Sequence, residues 1–222
     1  MNEISRIIYS KINTLWKREG KEKKGVIIEN DFSMPEFNAI KYFEVSEKIN
    51  GRNTRITFVN GRNIRRFDGR NDDSEISSKL IEYLNDKFTI EKLSMVSPES
   101  NEFVLVGEAY GPKMNTGSGA YREDISFILF DVWIDGWWLT RSNIEDIAKK
   151  LDIDVVPLIG IMSVDEIISF VKSKPQSLIT KNQLVMEGVV AKSSPMMMFR
   201  NGCEPIMFKL KVKDYEKLDK LK

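Results

Sequence analysis

Acidic side chains stand inside or directly beside apolar, strand-like segments of this sequence. Asp131 interrupts the apolar run Ile125–Ile134, where an unpaired buried charge would cost several kcal/mol, so the carboxylate needs a partner. Glu108 and Glu187 each lie at a similar segment and beside a glycine, which lets a ligand or another backbone approach closely. One such acid is typical of an exposed strand face or of an ion pair with a structural arginine, whereas three of them indicate a site.

Lysines accompany these acids. Charged and apolar residues alternate in Phe208–Lys213, so Lys209, Lys211 and Lys213 share one face of a predicted strand. Lys48 follows another strand directly and stands three residues ahead of a glycine. Each pattern alone is typical of a solvated strand face or a surface turn. Together with the acids, the lysines predict a site for phosphate groups and a metal ion.

The chemistry of such a site is limited by the residues that the chain lacks. Its 222 residues include no histidine, which excludes Ser-His-Asp and Cys-His nucleophile systems, HExxH metalloproteases and His-ligated zinc sites. Cys203 is the single cysteine, so neither an internal disulfide nor a multi-cysteine metal site can form. We expect Cys203 to be a half-buried apolar residue and the protein to be cytoplasmic.

The composition is that of a soluble globular protein, with 41% hydrophobic and 30% charged residues. The formal net charge of +1 argues against a non-specific nucleic-acid coat protein, although a neutral total can hide a local basic cleft. No run approaches the roughly 18 apolar residues of a membrane span, and the first residues lack the apolar region of a secretory signal. We therefore expect a monomer that does not interact with membranes.

Strands and helices must position these side chains. Three helices are predicted, one from about Ser74 to Phe88 and two that follow the capping boxes Ser142 with Glu145 and Ser163 with Glu166. The tryptophans around Asp135-Gly136 predict packing in the core and in a hairpin. Six segments rich in Ile, Val, Phe or Leu predict strands: Tyr42–Val45, Arg55–Val59, Glu102–Val106, Ile125–Ile134, Leu184–Ala191 and Pro205–Val212.

The order of these elements predicts an α+β fold in a single domain, residues 1–222. There is no regular alternation of strand and helix, no internal repeat and no linker long enough to separate two domains. No GxGxxG follows a strand and no GxxxxGK[ST] is present, which argues against dinucleotide-binding and P-loop folds.

The ordered set of motifs resembles the signature of the covalent nucleotidyltransferases, a superfamily of ATP-dependent DNA ligases, RNA ligases and mRNA-capping guanylyltransferases. The Glu-Lys-x-x-Gly-x-Asn stretch at Glu47–Asn53 is most similar to the nick-sealing RNA ligases that are common in bacteriophages. Segments Tyr9–Arg18, Arg66–Asn71 and Ile206–Asp214 also resemble phage RNA-ligase domains. The signature motifs, in order, are Lys48–Gly51, Gly107–Gly111, Leu129–Val132, Glu187–Lys192 and Lys209–Lys211.

Two departures from the family pattern bear on the substrate. The usual first motif is KxDG, and Asn50 here takes the acidic position, a change that RNA ligases tolerate better than DNA ligases do. From the few residues after Lys211, we expect neither an OB domain nor a C-terminal module. The resemblance thus implies an adenylation domain of largely antiparallel sheets flanked by helices, and it favours RNA over DNA.

The resemblance implies ATP as AMP donor, Mg²⁺ or Mn²⁺ as metal, and a nucleic acid with 3′-OH and 5′-phosphate ends as partner. Lys48 would form a lysyl-AMP intermediate, AMP would move to the 5′-phosphate, and the 3′-OH would displace it. A lysine must be activated for this attack, by desolvation or by neighbouring cations.

The resemblance also implies a role for each motif residue. Glu108 would bind the ribose, Phe130 would stack on adenine, and Glu187 would hold the metal ion. Asp131 would orient the lysine or the metal. The remaining predicted contacts to the nucleotide or its phosphates are Glu47, Asn53, Arg70, Lys192, Lys209 and Lys211, the last two also taken as catalytic.

Two other interpretations stay open. One is a DNA ligase or a guanylyltransferase of the same superfamily, which nick chemistry and the choice between ATP and GTP would separate. The other is a module that keeps the fold and binds nucleotide or nucleic acid without forming a covalent adduct.

Overall fold

The structure is a computed structural model that describes residues 9–20, 25–71, 74–180, 182–200 and 204–220. Cys203, predicted to be half-buried, lies outside the described residues. Within them, the strands are β1 (Asn13–Thr14), β2 (Trp16–Glu19), β3 (Val26–Phe32), β4 (Phe43–Glu47), β5 (Arg52–Val59), β6 (Ile64–Asp68), β7 (Glu102–Tyr110), β8 (Ser126–Ile134), β9 (Trp137–Trp138), β10 (Asp154–Val155), β11 (Leu158–Met162), β12 (Gly188–Ser193) and β13 (Met207–Lys211). The helices are α1 (Glu36–Ala39), α2 (Ser78–Lys87), α3 (Ile90–Ser94), α4 (Arg141–Leu151), α5 (Val164–Lys172) and α6 (Val212–Asp219).

The chain divides into two compact units. The first unit comprises Met1–Ser10 and Asn50–Val156, and the second unit comprises Lys11–Ile49 and Pro157–Lys222, in the parts of these ranges that the structure describes. The single domain expected from the sequence stays a prediction.

The first unit contains a six-stranded sheet in the order β10-β8-β7-β5-β6, with β9 paired to β8. All its pairs are antiparallel except β10 with β8. Alternation along the strands sends one set of apolar side chains to a core shared with α2, α3 and α4, which includes Ile56, Phe58, Leu105, Leu80 and Ile147.

The second unit contains a five-stranded sheet in the order β1-β13-β12-β4-β11 and a separate β2–β3 hairpin. The β1–β13 pair is parallel and the other pairs are antiparallel. Its core joins sheet residues such as Val45, Ala191 and Phe208 to Ile167 of α5 and Tyr215 of α6. Mixed helices and largely antiparallel sheets confirm the predicted α+β class.

Several predicted boundaries differ from the structure. Helix α2 begins at Ser78 rather than near Ser74, and β12 begins at Gly188 rather than at Leu184. The strand predicted to continue to Val212 ends at Lys211, because α6 begins at Val212. Lys213 therefore belongs to a helix and does not continue the face of Lys209 and Lys211.

The two predicted capping boxes have different outcomes. Ser163 accepts from the Glu166 backbone N–H while the Glu166 side chain accepts from the Ser163 N–H, so this box is confirmed. The box at Ser142 is wrong: Thr140 is the N-cap of α4, and Glu145 pairs with Arg141 instead.

The predicted hairpin at Asp135-Gly136 is confirmed. Both residues have positive φ, 44° and 105°, as a two-residue turn between antiparallel strands requires. Trp137 was expected to pack, but it is 75% exposed. Among the described residues, no helix is both long and apolar enough to span a bilayer.

Candidate active site

Lys48, Glu187 and Lys211 meet in the second unit because their strands are neighbours. Lys48 follows β4 directly, Glu187 precedes β12, and Lys211 ends β13, with β12 between the other two strands. The Lys48 N–H donates to the Gly188 carbonyl at 2.9 Å, which extends the β4–β12 pairing by one residue. The Lys48 Nζ then lies 2.7 Å from Glu187 Oε2, and the Lys211 Nζ lies 2.5 Å from Glu187 Oε1.

The electrostatics of this cluster follow from partial burial. The three side chains are 15 to 20% exposed. Burial acts to raise the pKa of Glu187, but the ammonium groups of Lys48 and Lys211 outweigh it and hold the pKa below its usual value. Burial lowers the pKa of Lys211, opposed by Glu187 and assisted by the positive charge of Lys48. The cluster thus keeps one carboxylate ionised between two amines.

Gly188 is required beside Glu187 by the close approach of β13. A Cβ on Gly188 would lie 2.1 Å from the Leu210 carbonyl oxygen, and the residue has φ of 152°. A larger residue would push apart the strands that carry Glu187 and Lys211.

Glu47 was predicted to contact the nucleotide, and the structure uses its carboxylate as an anchor. The side chain is buried; Oε1 accepts from the Ser177 hydroxyl at 2.6 Å and Oε2 from the Leu178 N–H at 2.8 Å. Burial raises the pKa of Glu47, although these two hydrogen bonds oppose the rise. Glu47 therefore fixes the segment that follows α5.

Lys209 and Lys192 lie on the same sheet as the cluster. The Lys209 Nζ donates to the Ile12 carbonyl at 2.7 Å, so it joins β13 to the chain just before β1. Lys192 lies on β12 and is half-buried. Lys209 and Lys192 are thus not part of the Glu187 ion pairs.

Phe130 and Asp131 owe their orientation to an irregularity in β8. Val106 pairs with Asp131 while the next residue of β7, Gly107, pairs with Leu129, so Phe130 is an extra residue in the ladder. Leu129, before the bulge, and Val132, after it, are both core residues of the first unit. The bulge therefore turns both Phe130 and Asp131 away from the core of the first unit.

Tyr9 contacts both of these residues, and sequence reasoning missed this role. Its hydroxyl donates to Asp131 Oδ2 at 2.6 Å, and its ring lies 5.3 Å from the Phe130 ring and 5.7 Å from the Trp138 ring, centroid to centroid. Burial raises the pKa of Tyr9 well above its usual value, and the charges of Asp131 and Glu108 raise it further. Asp131 is itself buried, so its charge requires a partner, and the Tyr9 hydroxyl is one such partner.

A cavity of about 580 Å³ in the first unit collects two further predicted residues, Asn53 and Arg70. Asn53 is buried and pairs across strands with half-buried Glu108, whereas Arg70 is exposed. The Asn53 Oδ1 is a buried acceptor without a hydrogen-bond donor among the described residues. The cavity thus offers an exposed guanidinium, while the Asn53 Oδ1 is buried in its wall.

Arg55 supports this cavity, and it too escaped sequence reasoning. It is 1% exposed, and its Nε donates at 2.8 Å to the carbonyl of Gly69, the residue before Arg70. A signal existed in the sequence, because an arginine at the start of an apolar strand needs a buried acceptor. For Tyr9 no local pattern signals the contact, since 122 residues separate it from Asp131.

The residues present fit a magnesium or manganese ion only with help from phosphate oxygens. The described part of the chain contains no group of three or more His, Cys, Asp or Glu that could hold a metal. Mg²⁺ is commonly held by one or two carboxylates together with substrate phosphates and water. Glu187 could be such a carboxylate, in exchange for one of its lysine contacts.

Comparison with protein-family models identifies one family. A family model described as RNA ligase matches residues 41–211, more than half of the chain. No match is found among curated protein sequences.

Solved structures of the Naegleria gruberi RNA ligase are similar in fold. A lysine-to-alanine variant with ATP and Mn has a TM-score of 0.64 at 18% identity, covering 98% of this chain and 63% of that one. The enzyme with PPi has a TM-score of 0.63 at 18% identity, covering 100% and 64%. A lysine-to-methionine variant with AMP and Mn has a TM-score of 0.63 at 18% identity, covering 98% and 62%. The chain thus spans less than two thirds of the length of these structures.

Proposed function

We propose that this chain, which belongs to the RNA ligase family, is an ATP-dependent polynucleotide ligase that acts through a lysyl-AMP intermediate on Lys48. The observation that carries the proposal is the position of Lys48, whose Nζ lies 2.7 Å from Glu187, which also binds Lys211. A lysine amine beside a carboxylate that can hold a divalent cation, and beside a second cationic side chain, is suited to attack on a phosphate.

In the first step, the Lys48 nitrogen attacks the α-phosphorus of ATP. A P–N bond forms, the bond from the α-phosphorus to the bridging oxygen breaks, and pyrophosphate leaves with the electron pair. Lys48 must lose a proton to solvent before it attacks, because Glu187, held ionised between two ammonium groups, is a weak proton acceptor and is the candidate metal ligand. Lys211, whose Nζ lies 2.5 Å from Glu187 Oε1, is placed to stabilise charge on the phosphates.

A divalent cation, when bound, would neutralise charge on the phosphates of ATP. Glu187 is our candidate ligand, because it is the carboxylate of the lysine cluster and is held ionised by its neighbours. Binding of the cation would free one of the two ammonium groups now paired with Glu187.

In the second step, an oxygen of a 5′-phosphate end attacks the phosphorus of lysyl-AMP, the P–N bond breaks, and Lys48 regains a proton. In the third step, a 3′-OH attacks the 5′-phosphorus and expels AMP. All three steps depend mainly on positioning and charge neutralisation.

We propose nucleotide contacts for the first unit as well. Phe130 would stack on adenine, Glu108 would accept from the ribose, and Asp131 would orient a reacting group. Arg70 would bind the 5′-phosphate end or the nucleotide phosphate, supported by its exposed guanidinium, and Asn53 would be a polar contact beside the lysine. A Phe130→Leu variant should raise the KM for ATP more than it lowers kcat.

The first test is covalent labelling. Protein treated with pyrophosphate to remove bound AMP is incubated with α-labelled ATP or GTP and Mg²⁺ or Mn²⁺, then denatured and separated by electrophoresis. We expect label from ATP that is lost in Lys48→Ala and retained in Lys150→Ala, a matched change at an exposed ion pair on α4.

Each outcome decides between the interpretations. Label from GTP alone would indicate a guanylyltransferase, and nucleotide binding without label in folded protein would indicate a non-sealing module. With ATP labelling established, nicked duplexes that carry RNA or DNA on the 3′-OH side separate RNA ligase from DNA ligase; we expect RNA to be sealed faster.

A further inference from the structure

Asn50 stands where the family pattern has an acid, and both halves of its amide are in use. Its Nδ2 donates to the Thr116 carbonyl at 2.8 Å, and its Oδ1 accepts from the Asn115 Nδ2 at 2.8 Å. Its backbone N–H donates to the Tyr121 hydroxyl at 3.3 Å. Three hydrogen bonds therefore join Asn50 to the segment between β7 and β8.

Backbone groups fix the direction of both amides. The Thr116 carbonyl can only accept, so the atom of Asn50 that faces it must be the NH₂ group. The Thr116 N–H can only donate, so it requires the Asn115 oxygen and leaves the Asn115 NH₂ group for Asn50. An aspartate at position 50 would place a negative oxygen against a carbonyl oxygen and lose one of these bonds.

The segment that Asn50 holds forms part of the cavity wall in the first unit. Met114 and Asn115 line the cavity with Asn53 and Arg70, and Met114 is also buried in the core. The rest of the segment is tied to itself, since Ser118 Oγ accepts from the Gly111 N–H at 3.0 Å. Asn115 and Thr116 are exposed, and the amide pairing is what joins this part of the wall to Asn50.

We propose that Asn50 is a positioning residue whose neutral amide holds the Asn115-Thr116 wall of the Asn53–Arg70 cavity in place. The role of the cavity in binding a polynucleotide end rests on the proposed function. The amide hydrogen bonds of Asn50 to Thr116 and Asn115, which we call the clip, do not rest on the proposed function. Loss of the clip should loosen the wall and weaken binding of the polynucleotide end more than formation of lysyl-AMP.

The experiment compares Asn50→Asp and Asn50→Ala with wild type. Asn63→Asp is the matched control, because Asn63 is exposed at the β5–β6 turn and only its backbone N–H donates a hydrogen bond within the turn. The first readout is hydrogen exchange of residues 114–121, whose protection should fall at least tenfold in both Asn50 variants and stay unchanged in Asn63→Asp. The second readout is nick sealing, whose KM for the polynucleotide should rise at least tenfold more than the KM for ATP in the labelling step.

The readouts separate this inference from the proposed function. Unchanged protection in folded Asn50→Asp would overturn the clip, and lost protection with an unchanged polynucleotide KM would overturn its positioning role. A wild type that forms no lysyl-AMP would refute the ligase proposal, and hydrogen exchange alone would then decide whether the clip exists.

Discussion

At the scale of single residues, Glu187 makes the stabilising effect of the Lys48–Glu187–Lys211 cluster depend on pH. The pKa of Glu187 in the folded protein lies below its value in the unfolded chain, about 4.3, so the ionised carboxylate stabilises the fold at pH values above 4.3. This stabilisation is lost as the pH falls through the folded-state pKa. The carboxylate also offsets the repulsion between the ammonium groups of Lys48 and Lys211.

We expect Glu187→Gln to lower the free energy of unfolding by about 1–3 kcal/mol at pH 7, because two partly buried cations lose their counter-charge. The difference from wild type should shrink below about pH 4, where the wild-type carboxylate is also being protonated. Urea unfolding at several pH values measures it. Glu145→Gln, which breaks an exposed pair with Arg141, should stay within about 0.5 kcal/mol; equal stability of Glu187→Gln and wild type at pH 7 would contradict the prediction.

Tyr9 gives a second prediction at this scale. Tyr9→Phe keeps the ring beside Phe130 and Trp138 but removes the donor to buried Asp131, so the free energy of unfolding should fall by about 1–3 kcal/mol. In a double-mutant cycle with Asp131→Asn, the double variant should lose less free energy of unfolding than the two single variants together, because both single changes break the same hydrogen bond.

The control for this cycle is Tyr42→Phe, whose side chain is 44% exposed. It should leave the unfolding curve unchanged. Additive losses for Tyr9 and Asp131 would show that the hydrogen bond contributes little to stability.

The candidate residues were predictable one by one, but their contacts were not. Motif order identified Lys48, Glu187 and Lys211, and the strand order of the second unit brings them together. The same reasoning offered Glu47 and Lys209 as nucleotide or phosphate contacts, whereas their side chains bind Ser177, Leu178 and the Ile12 carbonyl. A sequence motif names a residue type, while the direction of a side chain depends on neighbours that are distant in sequence.

At the scale of elements, the two serines predicted to cap helices form a matched pair. Ser163→Ala should lower the free energy of unfolding by about 1 kcal/mol, because the Ser163 hydroxyl accepts from the Glu166 N–H at the start of α5. Ser142→Ala should change the free energy of unfolding by no more than about 0.5 kcal/mol, since Thr140 takes the N-cap position of α4 and Ser142 lies inside the helix. Urea unfolding of both variants checks the difference, and equal losses would contradict the assigned N-caps.

Long apolar strands were the most predictable elements. β5, β7 and β8 follow from runs of Ile, Val, Leu and Phe, although β5 and β7 are longer than their predicted ranges and β8 begins one residue later than predicted. The bulge at Phe130 was not predictable, because the run from Ile125 to Ile134 is apolar on both faces except at Ser126 and Asp131. Helix α6 escaped for a related reason, since Val212 continues the alternation of β13 and nothing in that pattern marks the change of period.

At the scale of the whole molecule, the absence of histidine restricts any pH profile. No imidazole is present among the 222 residues, so a step in activity between pH 6 and 7 must come from the substrate or from another group whose pKa is displaced into that range, such as a lysine, a carboxyl group or the thiol of Cys203. The nucleophile of the proposed reaction is a neutral amine, which becomes more abundant as the pH rises.

We therefore expect the rate of AMP labelling, corrected for the ionisation of ATP, to rise with pH from 6 to 9. Single-turnover labelling across this range measures it. Cys203→Ser should leave the profile unchanged, because the only thiol of the chain has no part in the proposed chemistry. A rate that falls as the pH rises would contradict Lys48 as the nucleophile.

The amide clip at Asn50 also bears on chemical ageing. Asn50 precedes Gly51, and an asparagine before glycine is prone to deamidation: the glycine nitrogen attacks the side-chain carbon, ammonia leaves, and the succinimide hydrolyses to aspartate or isoaspartate. The hydrogen bonds to Thr116 and Asn115 hold the side chain against this attack. Deamidation during storage would therefore place at position 50 the carboxylate that loses the hydrogen bond to the Thr116 carbonyl. The measured activity of a preparation would then depend on its age.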